Sequence, residues 1–94
     1  MSIIAFDVDG TLVDYNDRPR HKIINMLKTF KWLGNRVVVW SGGGADYASM
    51  WVHRLKLEKY VDEYYSKIGH PYGAEVDICL DDEFVELAKV NLKV

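Results

Sequence analysis

Asp7 and Asp9 stand two residues apart, directly after the apolar run Ile3-Ile4-Ala5-Phe6, and are followed by Gly10 and Thr11. A second acidic pair, Asp81-Asp82, ends another apolar run near the far end of the chain. Residues two apart on a strand share a face. Asp7 and Asp9 therefore point one way, and the second pair lies opposite them if the two strands are neighbours. Carboxylates gathered at one point repel each other unless a proton or a cation neutralises them. Oxygen donors alone, with no His or Cys at ligand spacing, select a hard cation. Mg²⁺ suits best, because it keeps several waters and binds through one or two carboxylates plus phosphate. Taken alone, Asp81-Asp82 reads equally well as a pair of solvated turn acids. Asp7-x-Asp9-Gly10-Thr11 after an apolar strand does not.

Two further features carry chemistry of the same kind. Ser41 with Gly42, Gly43 and Gly44 offers a hydroxyl and backbone N–H groups at a helix start, an arrangement suited to an anion. Lys67 is placed to sit over that anion and screen the acids. A glycine run is more often only a turn, and a single lysine more often a surface charge. These weak features gain force because each falls at the expected end of a strand.

The elements that must position them alternate. Ile3 to Val8 and Arg36 to Trp40 read as strands buried on both faces, the kind found in parallel sheets. Between them, Arg20 to Leu33 spaces Ile23, Ile24, Leu27, Phe30 and Leu33 for a helix, which Gly34-Asn35 closes. A second helix is expected from Ala45 to Leu57, a third strand from Val61 to Tyr65 and a fourth from Val76 to Leu80. A short helix near Phe84 to Leu87 and a final strand near Lys89 to Val94 complete the expectation. This alternation predicts a three-layer, Rossmann-like α/β domain with a mostly parallel five-stranded sheet, in which ligands bind at the carboxyl ends of the strands. Every candidate group named above falls at such an end.

Composition narrows the partners. With 94 residues the chain is expected to form one domain, residues 1–94. Twelve Lys+Arg against 14 Asp+Glu give a formal net charge of -2, so no dedicated nucleic-acid surface is evident. The single cysteine, Cys79, excludes an internal disulfide framework and a multi-cysteine metal site. No stretch is long enough to span a bilayer and no signal peptide is evident, so a cytoplasmic location is the expectation. His21, His53 and His70 are scattered without metal spacing, and Trp32, Trp40 and Trp51 read as packing.

Phe6-Asp7-Val8-Asp9-Gly10-Thr11-Leu12-Val13 resembles the first motif of the haloacid dehalogenase superfamily of phosphohydrolases. The pattern Asp-x-Asp-Gly-Thr arises by chance in a chain of this size at roughly one in a thousand or less. Ser41 looks like the second family motif, Lys67 like the third, and Asp81-Asp82 like the acidic fourth. The resemblance implies a Mg²⁺-dependent phosphatase acting on a phosphomonoester through an aspartyl-phosphate. Asp7 would be the nucleophile, and Asp9 would protonate the leaving group and then activate water. Thr11, Ser41, Gly42 and Lys67 would serve the phosphate, Thr11 by bracing the first loop. Asp7, the Asp9 backbone carbonyl and the acids Asp81 and Asp82 would hold the metal, with Asp82 favoured for direct contact.

Phosphotransferases and mutases of the family share these motifs. A response-regulator-type phosphoacceptor is a further alternative, but it needs an acid after strand three, where Tyr65-Ser66-Lys67 has none. Neither gap that holds a substrate-selecting cap in such proteins is long enough here, so the site should be open. Tyr15, Arg18 and Arg20 on the short flap are then candidate substrate contacts, although each taken alone reads better as part of a solvated turn. The nine residues from Lys67 to Glu75 can cross the sheet but cannot form a full covering helix. An under-covered sheet face or site mouth would favour a homo-oligomer.

Overall fold

The computed structural model describes residues 1–69 and 75–94. Its centre is a five-stranded, wholly parallel sheet of β1 (Ile3–Phe6), β2 (Arg36–Ser41), β3 (Glu63–Ser66), β4 (Ile78–Asp81) and β5 (Val90–Lys93). The spatial order is β3-β2-β1-β4-β5. β1 therefore lies between β2 and β4, which brings the two acidic pairs together at adjacent strand ends. The crossover expected from Lys67 to Glu75 lies in part, at residues 70–74, outside the described residues. Among those residues, no helix is long and apolar enough to cross a membrane.

Strand alternation sorts the core. Ile4 and Phe6 of β1, Val37 and Val39 of β2 and Leu80 of β4 are buried on one face. Against them pack Ile23, Ile24 and Leu27 of α1 (His21–Trp32) and Ala48, Trp51 and Val52 of α2 (Ala45–Arg54). Both helices thus share a single face. On the other face Ala5, Val38, Trp40, Val76 and Cys79 are buried beneath Ile3, Tyr65, Val85, Leu87 and Ala88. Among the described residues the cover on this face comes from the non-helical segment before β5.

Several expected boundaries shift for local reasons. α1 stops where expected: Gly34 takes a φ of 91° and the Asn35 side-chain amide donates to the Phe30 carbonyl. α2 ends at Arg54 rather than Leu57, because Lys56 turns left-handed (φ 59°) and lets Leu57 enter the core. β3 and β4 begin later than expected, since Asp62 and Asp77 cap neighbouring strands: their carboxylates accept the Val37 and Ile3 N–H groups at 2.8 and 2.7 Å.

The helix expected at Phe84 to Leu87 is absent. There the Asn91 side-chain oxygen accepts the N–H groups of Leu87 and Ala88 at 2.9 and 3.0 Å, and its amide donates to the Ala88 carbonyl. A side chain that takes up backbone groups in this way competes with helix hydrogen bonds. Trp40 and Trp51 are buried as expected, whereas Trp32 is 84% exposed at the end of α1.

Candidate active site

The chain after β1 turns at once. The Val8 carbonyl accepts the N–H groups of Thr11, Leu12 and Val13, and the next residues form a short flap pinned by Asp14, whose carboxylate accepts the Asn16 and Arg18 N–H groups. Arg20 donates from Nη1 to the Gly10 carbonyl at 2.6 Å and to the Val94 carbonyl at 3.3 Å. It therefore anchors the flap. Gly10 has a φ of 82°, and a Cβ there would lie 2.2 Å from Asp82 Oδ2. Only a glycine lets the Asp82 carboxylate lie against this loop.

Asp7 is buried at the end of β1, and its N–H donates to the Leu80 carbonyl at 3.0 Å, which continues the sheet ladder. Lys67 Nζ lies 2.7 Å from Asp7 Oδ1 and 2.7 Å from Asp81 Oδ2, bridging the ends of β1 and β4. Oxygens of Asp7, Asp81 and Asp82 all lie within 4.8 Å of one another. Burial pushes the Asp7 carboxyl up to about 6, with the neighbouring acids adding to the rise and Lys67 opposing it. Burial works against the Lys67 ammonium too, but its bonds to Asp7 and Asp81 prevail and raise it. Asp82 is held below the usual carboxylate range: burial opposes this, and hydrogen bonds led by that from the Tyr15 hydroxyl outweigh it. The same contact pushes the Tyr15 hydroxyl up to about 12.

Three close carboxylates share one ammonium, a surplus of negative charge built only from oxygen donors. That donor set, with Gly10 shaped to admit Asp82, fits a hard divalent cation. The Asp9 carboxylate stands outside the cluster and accepts the Tyr47 hydroxyl at 2.8 Å.

Ser41, Gly42 and Gly43 form the opposite wall of an open cleft of about 180 Å³, which Asp7, Asp9, Lys67, Asp81, Asp82, Tyr15 and Glu83 also line. Gly43 donates its N–H to Ser41 Oγ at 3.0 Å, and Gly44 donates to the Ser41 carbonyl at 3.1 Å. Two of the three glycine N–H groups are therefore spent within the turn. The Ser41 hydroxyl proton and Gly42 are left to meet an anion. Thr11 is fully buried, and its hydroxyl donates to Asp7 Oδ2 at 3.2 Å, so it braces the first loop and does not itself line the cleft. Cys79 is buried, and burial pushes its thiol up to about 12, which keeps it protonated and inert.

Asp7, Asp9, Ser41, Gly42, Lys67, Asp81 and Asp82 are thus brought to one cleft from four strand ends. Sequence reasoning did not find the contact of Tyr47 with Asp9 or of Tyr15 with Asp82. The one legible trace was spacing, since Tyr47 falls in the first turn of the helix that follows the glycines.

A family model described as haloacid dehalogenase-like hydrolase matches residues 4–65. That span takes in Asp7, Asp9, Thr11 and Ser41 and stops before Lys67. Comparison with curated proteins and with solved structures gave no match.

Proposed function

The chain belongs to the haloacid dehalogenase-like hydrolase family, and from that premise we propose that it is a Mg²⁺-dependent phosphomonoester phosphatase working through an aspartyl-phosphate. The observation that carries this reading is the separation of the two acids of the first motif. Asp7 is buried within the charged cluster, while Asp9 lines the same cleft with its carboxylate outside that cluster. That separation supports giving one acid the attack and the other the proton transfers.

Asp7, Asp81 and Asp82 would hold the cation, which when bound supplies charge neutralisation for the transferring phosphoryl group. Lys67 keeps Asp7 ionised and screens its approach to an anion. Thr11 fixes the second Asp7 oxygen, leaving the carboxylate oriented for in-line attack. The Ser41 hydroxyl donates to a phosphoryl oxygen at the glycine wall. Asp9 gives its proton to the leaving oxygen and then takes one from the water that hydrolyses the intermediate. A water's share of liquid volume is about 30 Å³, so the cleft admits a phosphoryl group and a few waters, and the rest of a substrate lies beyond Tyr15 and Glu83. Phosphate release from a panel of sugar, nucleotide, alkyl and aryl phosphomonoesters, with Mg²⁺ and with chelator, tests the reading. Turnover that needs Mg²⁺ is the expected outcome. Absence of turnover across the panel, or turnover indifferent to chelator, contradicts it.

A further inference from the structure

Asp9 has two carboxylate oxygens and only one can face the leaving group. Tyr47, in the first turn of α2, donates its hydroxyl to Asp9 Oδ1 at 2.8 Å. The ring is itself held: a Cβ on Gly43 would come within 3.2 Å of Tyr47 Cδ2 and 3.3 Å of Cγ, so the glycine backbone packs directly against it. The glycine turn thus does more than present Ser41. It sets the ring that reaches Asp9.

The donor direction is also fixed. Contact with Asp9 raises the Tyr47 hydroxyl above its ordinary value, so it keeps its proton. A carboxylate oxygen only accepts, so the phenol turns its own proton towards Asp9.

Resting on the phosphatase reading, we propose that Tyr47 is a positioning residue: its hydroxyl occupies Asp9 Oδ1 so that Oδ2 alone faces the leaving group. In the first half-reaction an Asp7 carboxylate oxygen bonds to phosphorus as the ester P–O bond breaks, the electron pair of the broken bond passes to the leaving oxygen, and that oxygen takes the proton from Asp9 Oδ2. In the second, a water oxygen bonds to phosphorus as the bond to Asp7 breaks and returns its electron pair to that carboxylate, while the water gives a proton back to Asp9 Oδ2. Tyr47 keeps its own proton throughout and touches neither substrate nor water. A hydroxyl donated to a carboxylate also supports the charge that Asp9 acquires once its proton has left.

The test compares wild type, Tyr47→Phe and Asp9→Asn by the rate of leaving-group release in a single turnover. It uses an alkyl phosphate, whose leaving oxygen must be protonated, and an aryl phosphate with a good leaving group, which departs without help. Tyr47→Phe should slow the alkyl substrate roughly 10- to 100-fold, part of what general acid catalysis contributes. The aryl substrate should change less than threefold, KM less than twofold, and the Mg²⁺-induced rise in melting temperature not at all. Gly43→Ala, which displaces the ring without deleting the hydroxyl, should shift the two substrates in the same ratio but by less. Equal losses on both substrates, a loss confined to KM, or an unchanged alkyl rate would overturn the role of Tyr47. A wild type without turnover, or an Asp9→Asn enzyme with wild-type alkyl rates, would overturn the underlying reading instead.

Discussion

At position 7 a carboxyl group is asked to be buried, close to two other acids, and charged. Without a cation the three demands conflict, and its upward shift to about 6 records the conflict. The linkage sign follows. In the native state Asp7 holds a proton to higher pH than in the unfolded chain, so the native protein binds more protons between about pH 4 and 6 and loses stability as pH rises through that window. Asp14, Asp62, Asp77 and Asp82, held below the usual range, contribute with the opposite sign, but their stabilisation is lost only as pH falls below about 4. Thermal melts in chelator should therefore show a midpoint that declines from pH 5 to 6.5. Asp7→Asn should flatten the decline; a midpoint that rises in wild type would refute the conflict at Asp7. Residue types made Asp7, Asp9, Ser41, Lys67, Asp81 and Asp82 legible, because each carries its chemistry in its side chain. The partner of Asp9 was not legible. Nothing in the order of residues tells a tyrosine which oxygen, 38 positions away, it will reach.

Among the elements, apolar runs ended by Asp7, Ser41 and Asp81 marked β1, β2 and β4, and strand ends are where parallel sheets place ligands. What failed was the stretch before β5, where a short helix was expected near residues 84–87. The decision lay outside that window, in Asn91, which captures the Leu87 and Ala88 backbone in a non-helical segment whose Val85 and Leu87 pack against the cluster of Ala5 and Cys79. Asn91→Ala removes three hydrogen bonds in a partly buried place. It should lower unfolding free energy in urea by about 1–3 kcal/mol, while the Mg²⁺ response, which belongs to the other end of the strands, is retained. A stability within 0.5 kcal/mol of wild type, by the usual scatter of surface substitutions, would show that packing alone sets the segment.

For the molecule as a whole, a parallel sheet buried on both faces was legible, while what covers each face was not. Runs such as Val37-Val38-Val39 announce that both sheet faces are buried but say nothing of what buries them. Among the described residues two helices cover one face and the non-helical segment before β5 packs on the other. The whole fold converges on one acidic cluster, so a cation that binds only the folded state stabilises it by mass action, by about 2.7 kcal/mol at a hundred times its Kd. Millimolar Mg²⁺ should raise the melting temperature, and the rise should shrink in Asp82→Ala; equal shifts in the two proteins would remove Asp82 from the ligand set. The central claim, that Asp7 attacks phosphorus while Asp9 manages protons, is tested most directly by trapping the covalent species. Mixing Asp9→Asn with an aryl phosphate and Mg²⁺, then quenching rapidly in acid for intact-mass measurement, should reveal a protein carrying one phosphoryl group. Asp7→Asn treated identically should carry none. A phosphoryl group on Asp7→Asn, or wild-type turnover by it, would contradict the account.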